Sequence, residues 1–257
     1  MIIDFQKFLD GVGTWFLFSK NVVGFFIRDG ISRKVLVQQM YQVGVRSMVT
    51  TCVAGLFVGA ILAIQINLQL KDFGAQSFLG GLSTSTTIRN LGPVLIAFLL
   101  AGRVGAFSSA ELGTMAITDQ LNAIRCLGLN PLSVIIMPRL VALTISSFLL
   151  LVLGLGLTVF GGIIISSVSL KVNPLQFISH IPQFVSGVSI FIGVLKSFLF
   201  GIIIGTISCF VGYQTTGGAE EVGKAVRRTA VVTLVSIIVT DFLVSFVVES
   251  ISQLLMG

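Results

Sequence analysis

"GVSIFIGVLKSFLFGIIIGTISCFVG", residues 187–212, carries one charged side chain, Lys196, along its whole length. A helix rises 1.5 Å per residue, so about 20 apolar residues cross a hydrocarbon layer of about 30 Å. The stretch therefore reads as a transmembrane helix. Working outward, similar runs recur at 47–66, 91–110, 140–168 and 230–252, which makes five spans. Composition agrees: of 257 residues 54% are hydrophobic and only 10% charged, with mean hydropathy +1.04. A soluble domain is about a quarter charged. The fold class expected is an all-α integral membrane protein, with 1–257 forming a single membrane domain. The third span exceeds what a bilayer needs and contains Gly154, Gly156, Gly161 and Gly162, so a tilt or bend is expected there. Gly55 with Gly59, and Gly201 with Gly205, have the spacing that lets two helix backbones approach.

Basic residues set the orientation. With a cytoplasmic N-terminus, the inner segments hold Lys7, Lys20, Arg28, Arg33, Lys34, Arg46, Arg103, Arg125, Arg139, Lys224, Arg227 and Arg228. Only Lys71, Arg89 and Lys171 fall outside, and this bias follows the positive-inside rule. The formal charge of +6 is thus topological and calls for no nucleic acid. Five spans put the C-terminus outside.

Residues 1–34 lack the basic start and small-residue cleavage site of a secretory signal. Phe5, Phe8, Leu9, Val12, Phe16, Val23 and Phe26 recur mostly at helical spacing, with Lys7, Asp10, Thr14 and Arg28 elsewhere on the wheel. The expectation is an interfacial helix with Trp15 at headgroup level. A short additional span is the alternative. Cys52, Cys126 and Cys209 have no metal or redox spacing, and the lone His180 reads as a solvated residue of the outer loop, so no metal site is expected.

"GGAEEVGKAV", residues 217–226, holds Gly218, Gly223 and Lys224 at the spacing of a phosphate-cradling loop. That loop needs a hydroxyl after its lysine to hold magnesium, and the position is Ala225. Glu220 and Glu221 would repel the phosphates, and a membrane span precedes the motif in place of a soluble strand. No nucleotide site is expected in this chain, which is read as neither an enzyme nor the holder of a cofactor.

The inner loop "SSAELGTMAITDQLNAIRCLGLNP" begins like a capping box, Ser108 with Glu111 three residues on. Glu111, Thr114, Thr118, Asn122 and Arg125 share one helical face, while Ile117, Leu121, Ile124 and Leu127 line another. Gly128 and Pro131 end the helix. An amphipathic cytosolic helix of this kind either lies on lipid headgroups or docks in a groove of a soluble partner.

The run from Arg89 to Arg139, "RNLGPVLIAFLLAGRVGAFSSAELGTMAITDQLNAIRCLGLNPLSVIIMPR", resembles the signature of the MlaE family of lipid-transport permeases. The likeness extends to "QMYQVGVRSM" at 39–48, "GLFVGAILAIQ" at 55–65 and "GGAEEVGKAVRRTAVVTLVSIIVTDFL" at 217–243. The resemblance implies an interfacial helix, five spans and a homodimer in the inner membrane of a bacterium, with the plastid inner envelope as the rarer setting. It implies a separate ABC ATPase that binds ATP and magnesium, an MCE-domain lipid-binding protein outside and, in some systems, a small STAS-domain subunit. The segment 111–128 would be the coupling helix, bearing on the ATPase through Glu111, Gly113, Thr114, Asp119, Gln120, Leu121, Ile124 and Arg125. One departure stands out: where the family commonly has an acidic residue after Arg89, this chain has Asn90.

Spans rich in Leu, Ile, Val and Phe and poor in ionisable groups suit a phospholipid or related lipid better than an ion. The expected cavity lies at the dimer interface, walled by the first, second and fifth spans. Lys196 and Asp241 are charges within spans, each costing about 2.5–3.5 kcal/mol if unpaired. The antiparallel register of the last two spans brings Lys196 level with the stretch between Asp241 and Glu249, where an ion pair or a headgroup contact is expected. With Arg89 and Asn90 they are the candidate lipid-path residues. Arg103 can snorkel to the inner surface. The alternative function, a secondary transporter or channel for a small solute or ion, would carry polar relays or repeated halves. An intramembrane enzyme would need a nucleophile and base. Neither pattern is present in the sequence.

Overall fold

The computed structural model describes residues 11, 13–22, 24 and 33–256, the side chains of 251–256 excepted. Every regular element among the described residues is helical. Five helices are long and apolar enough to cross a membrane: Arg33–Asp72, Gln76–Ile117, Leu132–Val168, Gly187–Tyr213 and Ala219–Ser250. Each continues beyond its apolar run, because hydrogen-bonded helix persists past the hydrocarbon layer into polar sequence. The first therefore reaches Asp72 and the second Ile117.

Helix starts follow local chemistry. The Asn173 side chain accepts from the Leu175 N–H and, with Pro174 at the first helical position, opens the short outer helix Pro174–Ser179. Ser186 accepts from the Ser189 N–H and opens the fourth long helix. At Tyr41–Val45, Thr87–Leu91, Ala101–Gly105 and Leu132–Ile136 the first three long helices widen into single π turns. Such turns often accompany functional sites.

The third helix is the axis of the bundle. On one side the first helix meets it at backbone distance: a carbon added at Gly59 would run into the Thr158 carbonyl, and one at Gly55 would lie 2.8 Å from the Gly154 oxygen. On the other side the fourth helix approaches as closely, with a Gly201 carbon 2.9 Å from the Thr144 oxygen. The two small-residue pairs noted in the sequence are thus both helix contacts. Between these layers Ile96, Leu100, Leu143, Leu151, Phe200 and Ile204 form a core shut off from the surroundings. The fifth helix packs only lightly, and Val231, Val235, Ile238, Phe242 and Phe246 stay exposed along it.

Three expectations meet detail that the sequence does not carry. The N-terminal segment is helical where described, but the face it turns to the bundle carries Trp15, Phe18 and Val22. The Phe18 ring lies 5.5 Å from Phe210 and 5.9 Å from Tyr213. Phe16 points away and is 64% exposed; Phe5, Phe8, Leu9, Val12, Val23 and Phe26 lie outside the described residues. Second, Ser108 caps nothing, because the second helix arrives there uninterrupted from the span, and the segment 111–128 is two helices. Asp119 adopts a left-handed backbone, φ 56°, which ends one piece at Ile117 and starts Gln120–Cys126. Third, His180 is only partly exposed: its ring meets Phe78 edge-on at 5.6 Å and its Nδ1 lies 2.9 Å from the Gln176 carbonyl, pinning the outer loop to the second helix.

Candidate functional site

Polar side chains gather at two levels of the bundle. The outer group forms where the second, fourth and fifth helices meet. Lys196 of the fourth helix is wholly buried, and its ammonium lies 2.7 Å from Asp241 Oδ1. It also donates to Ser245 Oγ at 2.9 Å and to the Arg89 carbonyl at 3.0 Å. One ion pair and two hydrogen bonds are what let a cation sit in an apolar interior. The accepting carbonyl belongs to the π turn Thr87–Leu91, where the regular backbone ladder is interrupted. The side chain of Arg89 pairs with Glu249 at 2.8 Å, both groups remaining substantially exposed.

Beside these pairs opens a cavity of about 260 Å³ lined by Ser85, Thr86, Arg89, Asn90, Lys196 and Glu249. Two cations face two carboxylates, so the group is close to neutral. The expected neighbours Arg89, Asn90, Lys196 and Asp241 do meet here. Ser245 and Glu249 were missing from that set, yet they follow Asp241 at steps of four and so share its helical face.

The inner group surrounds the cytosolic hairpin expected between the second and third spans. Ser109 receives a 2.8 Å hydrogen bond from the Thr229 hydroxyl of the fifth helix, and Gly113 lies beside Thr215 at the end of the fourth. Thr114, Asp119 and Gln120 are exposed, Ile124 is half-buried, and Leu121 is only 4% exposed. Leu121 therefore fastens the hairpin to its own chain, and the apolar side chains offered outward are Leu127 and Leu129. Asp119, Asn122 and Arg125 form a chain of bonds of 2.7 and 3.1 Å that continues from the guanidinium to the Tyr213 hydroxyl at 2.7 Å. Gly128, φ 77°, closes the short helix: its N–H donates to the Arg125 carbonyl and that of Leu129 to the Ile124 carbonyl.

Two residues of this region were not singled out from sequence. Tyr213 is one. The other is Arg139 near the start of the third helix, 3% exposed, whose Nη2 lies 2.9 Å from Glu111 Oε1. Arg103 reaches the first helix, bonding the Arg46 carbonyl at 2.8 Å and the Thr50 hydroxyl. Lys224, at the position a phosphate-binding lysine would take, is held by Glu221 at 2.7 Å and Glu220 at 3.0 Å.

Comparison with known proteins places this architecture among permeases. The family model described as permease MlaE matches residues 36–247. A probable ABC transporter permease protein of Synechocystis is 34% identical over 90% of this chain and 88% of its own. One of Rickettsia conorii is 30% identical over 93% of this chain and 92% of its own. The intermembrane phospholipid transport system permease protein of Haemophilus influenzae is 32% identical over 95% of this chain and 93% of its own.

Proposed function

The chain belongs to the MlaE permease family, and from that premise we propose that it is the membrane subunit of an ABC transporter that carries phospholipid or a related lipid between membranes. The observation that carries the reading is the pairing of five apolar helices with a structured inner hairpin and no free phosphate-binding lysine at 217–226. In this reading the energy comes from outside the chain. A separate ATPase, holding ATP and magnesium, docks at the hairpin around Gln120–Cys126, where Leu127 and Leu129 offer apolar contacts.

The helical bundle supports a lipid cargo in two ways. Its outer cavity puts Arg89 within reach of a headgroup, with Asn90 beside it, and the exposed apolar side chains of the fifth helix suit acyl chains or a second copy of the chain. In this reading two copies form the transport path, an MCE-domain protein receives or delivers lipid on the outer side, and a STAS-domain subunit is a further partner. The setting is a bacterial inner membrane, with the N-terminus cytoplasmic and the C-terminus periplasmic. With Asn90 in place of the family's common acid, the outer cluster is neutral where a carboxylate would leave it with a net negative charge. That neutrality favours an anionic headgroup.

Native mass spectrometry of the complex extracted into nanodiscs tests the proposal. A mass containing two copies of this chain, two ATPase subunits and bound phospholipid is expected. A chain that runs alone and drives lipid transfer without ATP would overturn it, and would bring back the alternative of a secondary transporter.

A further inference from the structure

We propose that Arg139 is a positioning residue that carries movement of the inner hairpin into the third helix, through its ion pair with Glu111. The inference rests on the reading above, in which a partner ATPase moves that hairpin.

The guanidinium is 97% removed from the surroundings, and Glu111 is its one ion-pair partner among the described residues. Its Nε and Nη1 find no hydrogen-bond acceptor there, so one carboxylate is its polar anchor among the described residues. Such a group follows its partner: a buried cation left behind by a moving carboxylate would face the full cost of desolvation. Glu111 lies near the end of the second helix, two residues after Ser109, which is bonded to the fifth helix, and two before Gly113, which abuts the end of the fourth. On the far side of the pair, Arg139 stands two residues into the α-helical part of the third long helix, the axis against which the first and fourth helices close at backbone distance. Within the described residues this is the one ion pair that joins the hairpin region to that axis. A push on the hairpin therefore reaches the core of the bundle through it, in addition to whatever passes along the covalent turn at 127–131.

An alternative role is plain cohesion, in which any cation at 139 would serve. Lysine separates the two. It keeps the charge and can still pair with a carboxylate, but it lacks the planar fork that fixes the geometry of the contact. The test uses the complete complex, with its ATPase, in proteoliposomes doped with fluorescent phospholipid. Arg139→Lys is expected to keep the ATPase bound and hydrolysing while lipid moved per ATP falls about tenfold, the usual size of a coupling between two sites. Wild-type transport per ATP in Arg139→Lys would overturn the proposal. So would a loss of transport that merely matches a loss of bound ATPase, because the pair would then serve docking alone. Should the variant fail to assemble, hydrogen exchange in the unmodified complex decides. Trapping the ATPase with vanadate is expected to change protection at 132–143 together with 111–126, and a change confined to 111–126 would overturn the inference. A wild-type preparation that holds no ATPase would defeat the function proposed above as well, and is told apart by that result.

Discussion

Lys196 and Asp241 stand 2.7 Å apart between the fourth and fifth helices, the ammonium with no exposure at all and the carboxylate about a quarter exposed. A cation so deep is tolerated because Ser245 and the Arg89 carbonyl take its remaining hydrogens. The pair thereby ties together three of the five spans.

Removing one partner leaves the other stranded. Asp241→Asn or Lys196→Met should destabilise the purified protein by about 3–5 kcal/mol, read as a fall in melting temperature in detergent. The double change Lys196→Met with Asp241→Leu should recover most of that stability. If the charges also meet the cargo, the double variant stays folded but transports poorly; transport at the wild-type rate would make the pair purely structural.

Close approach at Gly59 gives a second expectation. A methyl group there collides with the Thr158 carbonyl, so Gly59→Ala should cost about 1–3 kcal/mol and loosen the contact of the first and third helices. Gly156 on the same third helix has nothing near its missing carbon. Gly156→Ala should be neutral, or stabilising by up to about 1 kcal/mol from helix propensity. Equal effects in a thermal scan would refute the packing account.

The N-terminal helix is held by rings. Phe18→Ala empties the space against Phe210 and Tyr213 and should cost about 3 kcal/mol locally. Limited proteolysis in nanodiscs should then cut before residue 33 at protease levels that spare the wild type. An unchanged cleavage pattern would mean that this helix is anchored by lipid alone.

Tyr213→Phe keeps the ring but deletes the acceptor for Arg125. A net loss of about 0.5–1.5 kcal/mol is expected, with faster hydrogen exchange over Gln120–Cys126 and no change in the five long helices. Gly128→Ala, forced to keep φ 77°, should loosen the same short helix from its other end.

Much of this was legible in the sequence because a bilayer imposes a length and a polarity that composition cannot hide. The five spans, the closeness of Lys196 to Asp241 and the glycine stop at 128 all followed from counting. What stayed hidden depends on neighbours. The π turns leave no mark in propensity, although one of them frees the carbonyl that Lys196 uses. Ser108 with Glu111 reads as a helix start only if the helix begins there, and a span running straight through that point removes that premise. Asp119 breaks the hairpin with a left-handed backbone that aspartate tolerates but does not demand. Arg139 looked like a topogenic charge at the membrane edge, and its burial against Glu111 appears only when the second and third helices stand side by side.

Contact between carbonyl and missing side chain on two flanks of the third helix has a mechanical corollary. The first, third and fourth helices form a stiff slab, since any sliding among them drives backbone into backbone. The fifth is fastened by discrete polar rivets at Thr229, Asp241 and Glu249, with Ala225 and Ile237 as its buried apolar contacts. Rivets of this kind can be unfastened singly. Parting the fifth helix from the slab would therefore break a few polar contacts, whereas parting the slab's own members would have to separate glycine-packed backbones.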